Sequence, residues 1–254
     1  MTMRQAGVND GQQDTDWRGG DGGPSASMAV EGVQALPMGV SFTVRRRGLI
    51  RDVLAHDAAG KAVLICAPSH FGKTAVLIQV VEEVRTDPKR GAAVLIDAHD
   101  AQVDELLLQL DEVEETTSGQ DRPLVAIDNL PVFEACAARM LVERLRGLRR
   151  LGCGVVASCL PSNRTLIKAF GDSIKIAPRA LTVGPHEYAE WMRVFSLPVA
   201  IDVYGLTQGI PALVAALRGS LGGLAKPPRQ YSSCVYEVCQ SVMAEIEGEE
   251  GSLW

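Results

Sequence analysis

Eight consecutive residues, Ala67, Pro68, Ser69, His70, Phe71, Gly72, Lys73 and Thr74, have the types and order needed to surround a phosphate chain. In such a loop, backbone N–H groups and the start of the following helix face the phosphate oxygens. A lysine neutralises their charge, and a Ser or Thr hydroxyl ligates the accompanying magnesium. Lys73 is therefore the candidate phosphate-neutralising residue and Thr74 a candidate metal ligand. Two residues depart from the usual pattern. Ala67 stands where the first glycine is expected, and His70 where another is often found. Both resist backbone angles that glycine adopts. His70 reads either as a phosphate contact or as a plain loop side chain, and a GKT triplet also occurs by chance in ordinary loops.

Asp128 closes the strand-like run of LVAIDNL. A carboxylate at such a tip can hold magnesium or its water while the metal bridges phosphates. The alternative is an ordinary solvent-facing strand end, but its separation from Lys73 suits the metal role. Lys73 and Asp128 are thus the candidate catalytic residues, and Thr74 and Asp128 the candidate metal ligands. Asn129 follows where many ATPases carry a second carboxylate. An amide cannot take a proton from water, so slow hydrolysis is expected. A third feature, Gly209-Ile210-Pro211, reads locally as a helix stop followed by a proline in the next helix's first turn.

The elements that must position these residues are legible as alternating patterns. Five short apolar runs recur: 61–66, 92–97, 123–128, 153–158 and 173–178. Their length and lack of alternation suit strands buried on both faces of a parallel sheet. Helical patterns lie between them, in TAVLIQVVEEVR, VDELLLQLDEVEE and FEACAARMLVERLRGLRRLG. The fold class expected is α/β, a P-loop NTPase with a five-stranded parallel sheet and helices on both sides. A short amphipathic helix carrying Leu49, Val53 and Leu54 on one face precedes the first strand. Beyond residue 184 the strand signal ends and helical patterns follow, as in a small helical lid.

Residues 1–36 are rich in Gly, Asp, Gln and Ser without any period, so a disordered tail is expected there. The expected domains are this tail, an α/β nucleotide-binding domain over 37–183, and a helical lid with a C-terminal helix over 184–254. The six cysteines form no close pairs of the zinc or redox type and read as small buried hydrophobes. A formal charge of −6 argues against a broad nonspecific nucleic-acid surface, and no helix-turn-helix is evident, so no direct DNA binding is expected. No apolar run approaches the roughly 20 residues that span a bilayer, and no signal-peptide segment is evident, making the cytoplasm the expected location.

The order RRRGLIRDVL, APSHFGKT, VLIDAHD, LVAIDNL, VVASCLPSNR and LTQGIPALV resembles the AAA-related ATPase module of STAND-type signal-transduction NTPases, especially MalT-like LuxR-family regulators, over about residues 40–220. The resemblance implies an AAA-related sheet with a helical lid, ATP and Mg2+ as ligands, and ATP-favoured self-association or protein partnership. It implies that Pro211 approaches the base, that Arg45, Arg46 and Arg47 lie near the nucleotide, and that Asp97 and Asp100 form the acidic second-strand segment. Two departures are visible. Asn129 replaces a commonly acidic residue, and Ser158-Cys159 replaces a serine-arginine pair at the end of the fourth strand. Arg164, the nearest downstream arginine, either substitutes for the missing one or is an exposed loop residue. Three readings follow: a regulatory ATP switch with slow hydrolysis, a competent ATPase, and a degenerate nucleotide-free interaction module.

Overall fold

A computed structural model of the chain describes residues 45–117, 119, 121–184, 187, 204–205, 207–214 and 240. The expected tail over 1–36 lies outside these residues, as do most of the expected lid and the whole C-terminal helix apart from Gln240.

Strands and helices alternate as the sequence pattern requires. Helix α1 (Arg47–Ala58) leads into β1 (Val63–Cys66), α2 (Lys73–Thr86), β2 (Ala93–Asp97), α3 (Val103–Thr117) and β3 (Leu124–Leu130). Helix α4 (Ala135–Arg150), β4 (Gly154–Cys159), α5 (Arg164–Ala169), β5 (Ile174–Ile176) and α6 (Pro178–Leu181) follow. All pairings are parallel, in the spatial order β2-β3-β4-β1-β5. The last strand is shorter than its apolar run because Pro178 opens α6, where its fixed φ and missing N–H cost nothing.

The sheet is buried on both faces, which explains strands without alternation. Leu64, Val125, Ile127, Val155 and Ala157 face one apolar cluster, with Leu106 and Leu110 of α3 and Leu141, Leu145 and Leu148 of α4. Val63, Ile65, Leu124, Ala126 and Val156 face the other, against α1 and α2. Helix α2 contributes Val76, Leu77, Val80, Val81 and Val84, a stripe at helical spacing. Four of these five are β-branched, a modest helix preference that tertiary burial overrides, since each fully buried side chain contributes about 1.5–3 kcal/mol. In α1 the inward face is Ile50, Val53 and Asp57, with Leu49 and Leu54 half-buried beside them. Among the described residues no helix is long and apolar enough to cross a membrane.

Sequence-distant ion pairs fasten the helices. Arg144 of α4 bridges Asp111 and Glu114 of α3 at 2.6 and 2.5 Å. Buried Asp57 of α1 pairs with Arg90 ahead of β2. Gly154 makes room for that pair, because a Cβ there would lie 2.1 Å from Asp57 Oδ1.

Candidate functional site

The carboxyl ends of β1, β3 and β4 bring the sequence motifs to one edge of the sheet. There β1 gives way to the loop Ala67–Gly72, and α2 begins at Lys73. The N-cap of α2 is Gly72 with φ +77°, no side chain caps this end, and its first turn carries no acidic residue. The first N–H groups of a helix lack intrahelical partners and sit at the positive end of its dipole. An uncapped helix start behind a tight loop is therefore suited to an anion.

Lys73 folds back over the loop. Its buried ammonium donates to the carbonyl oxygens of Ala67 at 3.0 Å and Pro68 at 2.9 Å. Ala67 is fully buried and does not take a left-handed conformation, so the absent glycine costs no strain there. The left-handed positions are Gly72 and His70, the latter with φ +65°. His70 is exposed, and Thr74 is exposed in the first turn of α2. Pro68, Ser69 and Phe71 are half-buried.

Asp128 is buried at 2% exposure and accepts a hydrogen bond from the Ser158 hydroxyl. Ser158 Oγ accepts in turn from the Asn129 backbone N–H at 3.0 Å. Strand β3 does not stop at Asp128 but runs on to Leu130, with a register shift against β4 between Ile127 and Leu130. Asn129 sits in that shift with φ +55°, a conformation that asparagine tolerates better than most residues. Its side-chain amide donates to Asp97 Oδ1 at 3.3 Å, and Asp97 is the register partner of Asp128.

Part of the expected lid docks directly on this loop. Residues 211–214 form a helical turn beginning at Pro211. A Cβ on Gly72 would meet Pro211 Cβ at 3.3 Å, so the proline ring seats where the glycine has no side chain. The Ala212 N–H donates to the His70 carbonyl at 3.2 Å. Gly209, φ +73°, closes the preceding turn, and its carbonyl accepts from the Val183 N–H at 2.7 Å. An added Cβ there would lie 2.4 Å from the Val183 oxygen.

No protein-family model matches the chain. No curated protein matches it. Solved structures do. A structure of the replication initiator DnaA bound to AMPPCP and single-stranded DNA matches with TM-score 0.53 at 11% identity, over 81% of this chain and 68% of that one. AMPPCP-bound DnaA from Aquifex aeolicus matches with TM-score 0.50 at 14% identity, over 72% of this chain and 62% of that one. This chain has the fold of an AAA+ P-loop NTPase. At such identities the likeness speaks for the AAA+ fold alone.

Within that AAA+ sheet the three leading arginines part company. Arg45 pairs with Glu83 of α2 at 2.8 Å, and Arg47 is exposed. Arg46 is buried, donating to the carbonyls of Ala180, Leu181 and Thr182 and pairing with Glu187. It therefore closes the end of α6. Arg164 is exposed at the start of α5, and Asp100 is exposed with φ +58°.

Several contributors are not marked by the motifs. Fully buried Asn163 accepts from Leu166 N–H as the N-cap of α5 and donates to Leu130 O and Pro131 O, pinning the turn after β3 to the turn after β4. An Asn directly ahead of a helical run was the available signal. The partnership of Ser158 with Asp128 and of Asn129 with Asp97 depends on strand order, which no local pattern encodes.

Proposed function

We propose that the chain is an ATP-binding regulatory switch of the STAND type, with nucleotide-dependent association as its output and slow hydrolysis. The observation that carries this reading is the lid turn seated on the phosphate loop, Pro211 on Gly72 and Ala212 N–H on His70 O. A phosphate entering the loop acts on groups already joined to the lid, so occupancy and lid position are coupled.

The residues present fit the ligands the resemblance implies. The uncapped start of α2 and the Lys73 ammonium are suited to a triphosphate, with the ammonium exchanging loop carbonyls for phosphate oxygens. Thr74 and Asp128 supply the hard oxygen donors that Mg2+ prefers, and the metal would neutralise phosphate charge there. Both DnaA structures hold AMPPCP, which favours the same class of ligand here. The LuxR-regulator resemblance supports a place in transcriptional signalling reached through protein association.

Titration with Mg-ATP tests the reading. Wild type should bind and gain thermal stability by mass action, and Lys73→Ala should lose about 3 kcal/mol of affinity, roughly a hundredfold. Phosphate release on the same samples should be negligible, and light scattering should report a larger assembly with nucleotide than without. A wild-type melting temperature unmoved by Mg-ATP would instead support a nucleotide-free interaction module.

One observation favours a competent ATPase as the second reading. The Asn129 amide holds the Asp97 carboxylate beside the end of β3, where it could take a proton from water in place of an acid at 129. Measurable phosphate release that Asp97→Asn abolishes, without loss of binding, would establish this reading over the first.

A further inference from the structure

Cys159 occupies the place where the resemblance leads one to expect an arginine, and its surroundings give it a different chemistry. Cys66 ends β1 and Cys159 ends β4, and the two are register partners across neighbouring parallel strands. Neighbouring strands run about 4.8 Å apart, inside the Cα separation of roughly 4.4–6.8 Å that a disulfide spans. Both side chains belong to the same face of the sheet, Cys159 within the α3/α4 cluster and Cys66 packed against it. The two thiols lie close enough for each to shift the other's ionisation. Both are free cysteines.

We propose that Cys66 and Cys159 are a peroxide-responsive dithiol pair that closes to a disulfide at the root of the phosphate loop. The surroundings divide the labour between them. Cys66 is half-buried and reachable, and its thiol is lowered to about 7 by the neighbouring Cys159 thiol together with the charges of Lys73 and Lys175, which outweigh burial. Cys159 is 1% exposed, and its thiol is pushed up by the neighbouring Cys66 and by burial, so it stays protonated. The Cys66 thiolate attacks one oxygen of hydrogen peroxide, the O–O bond breaks, and hydroxide leaves a sulfenic acid on Cys66. The Cys159 sulfur then attacks that sulfur, the S–O bond breaks, and water departs with the Cys159 proton. Two thiols lose two electrons and one peroxide becomes two waters, counting the hydroxide once protonated.

Other cysteines lack this arrangement among the described residues. Cys136 is exposed on α4, and Cys153 is buried at the opposite end of the sheet with its thiol raised to about 11. The bridge would act on the loop because Cys66 directly precedes Ala67. The Ala67 N–H bonds Cys159 O at 3.4 Å, and its carbonyl accepts from Lys73. Ser158, which donates to Asp128, adjoins the other sulfur. Drawing the sulfurs to bonding distance therefore shifts the backbone on both sides of the site. This consequence for nucleotide rests on the proposed function, whereas closure of the bridge stands on strand register alone.

The test treats the full chain with hydrogen peroxide, blocks remaining thiols with N-ethylmaleimide, and maps peptides with and without dithiothreitol. A dithiothreitol-sensitive link between the peptides of Cys66 and Cys159 is expected, and a dimedone adduct on Cys66 in Cys159→Ser. Recovery of both cysteines as maleimide adducts in oxidised wild type would overturn the proposal, as would linkage to other cysteines instead. Mg-ATP affinity of the same wild-type samples should fall at least tenfold on oxidation and return on reduction. Equal affinity in linked and reduced protein would overturn the coupling to the site. Failure of the reduced protein to bind nucleotide would overturn the proposed function, while peptide mapping would still decide the bridge.

Discussion

The two ends of the parallel sheet are built from similar residue types and use them in opposite ways. At the amino ends, charge is matched with charge: buried Asp57 pairs with Arg90, and Gly154 yields the space the carboxylate occupies. At the carboxyl ends, Lys73 rests on two carbonyl oxygens, Asp128 accepts from a hydroxyl, and α2 begins without a cap. A charge held by neutral dipoles gains more from an incoming ion of opposite sign than one already paired. The first end is committed to folding, and the second is the one the proposed function assigns to a ligand. The cysteines follow the same division, since Cys153 lies buried near Asp57 while Cys66 lies near Lys73.

The widest expected contrast between the ends is in those thiols. Only the thiolate alkylates, so labelling rises as pH passes each thiol's own value. Iodoacetamide labelling of Cys66 should be half-maximal at about pH 7, and that of Cys153 at about pH 11, where burial and the Asp57 charge oppose ionisation. Rate profiles read by mass spectrometry between pH 6 and pH 9 should show Cys66 levelling off while Cys153 has barely begun.

Next in size is a reciprocal pair of substitutions. Asp57→Ala should cost about 3 kcal/mol of stability in urea melts by stranding Arg90, with nucleotide affinity of the folded fraction unchanged. Lys73→Ala should do the reverse, losing affinity in titration while the ligand-free melt barely moves. A Lys73→Ala protein that loses as much stability as Asp57→Ala would erase the distinction between the ends.

Smaller effects probe the lid contact. Gly209→Ala forces a left-handed alanine against the Val183 oxygen and should cost about 2 kcal/mol, with faster amide exchange at Val183 as the local sign. The smallest effect belongs to His70→Gly, which removes left-handed strain but adds unfolded-chain freedom, leaving a net change under about 1 kcal/mol in a thermal melt.

Strand runs, their order along the chain and the loop between β1 and α2 were legible because each leaves a local pattern: apolar length, helical period, a GKT end. The site's supporting contacts were not, because they join residues about thirty positions apart across strands whose neighbours only the folded sheet defines. Ser158 meets Asp128, and Asn129 meets Asp97, because β3 lies between β2 and β4. Cys66 and Cys159 read individually as small hydrophobes, and only their register reveals a pair. Ala67 was also misleading as a local signal. The left-handed angles in the loop fall on His70 and Gly72, while Ala67 is an ordinary buried residue.

The seat of Pro211 on Gly72 carries an obligation that runs in both directions. Whatever free energy a bound phosphate contributes by favouring one lid position must reappear when the lid is held in that position by something else. A neighbouring protein that grips residues 209–214 and favours the nucleotide-bound arrangement would raise nucleotide affinity by the same factor by which nucleotide raises its own grip. Under the proposed function, the proline and glycine would make the phosphate loop a reporter of what touches the lid, as well as the reverse.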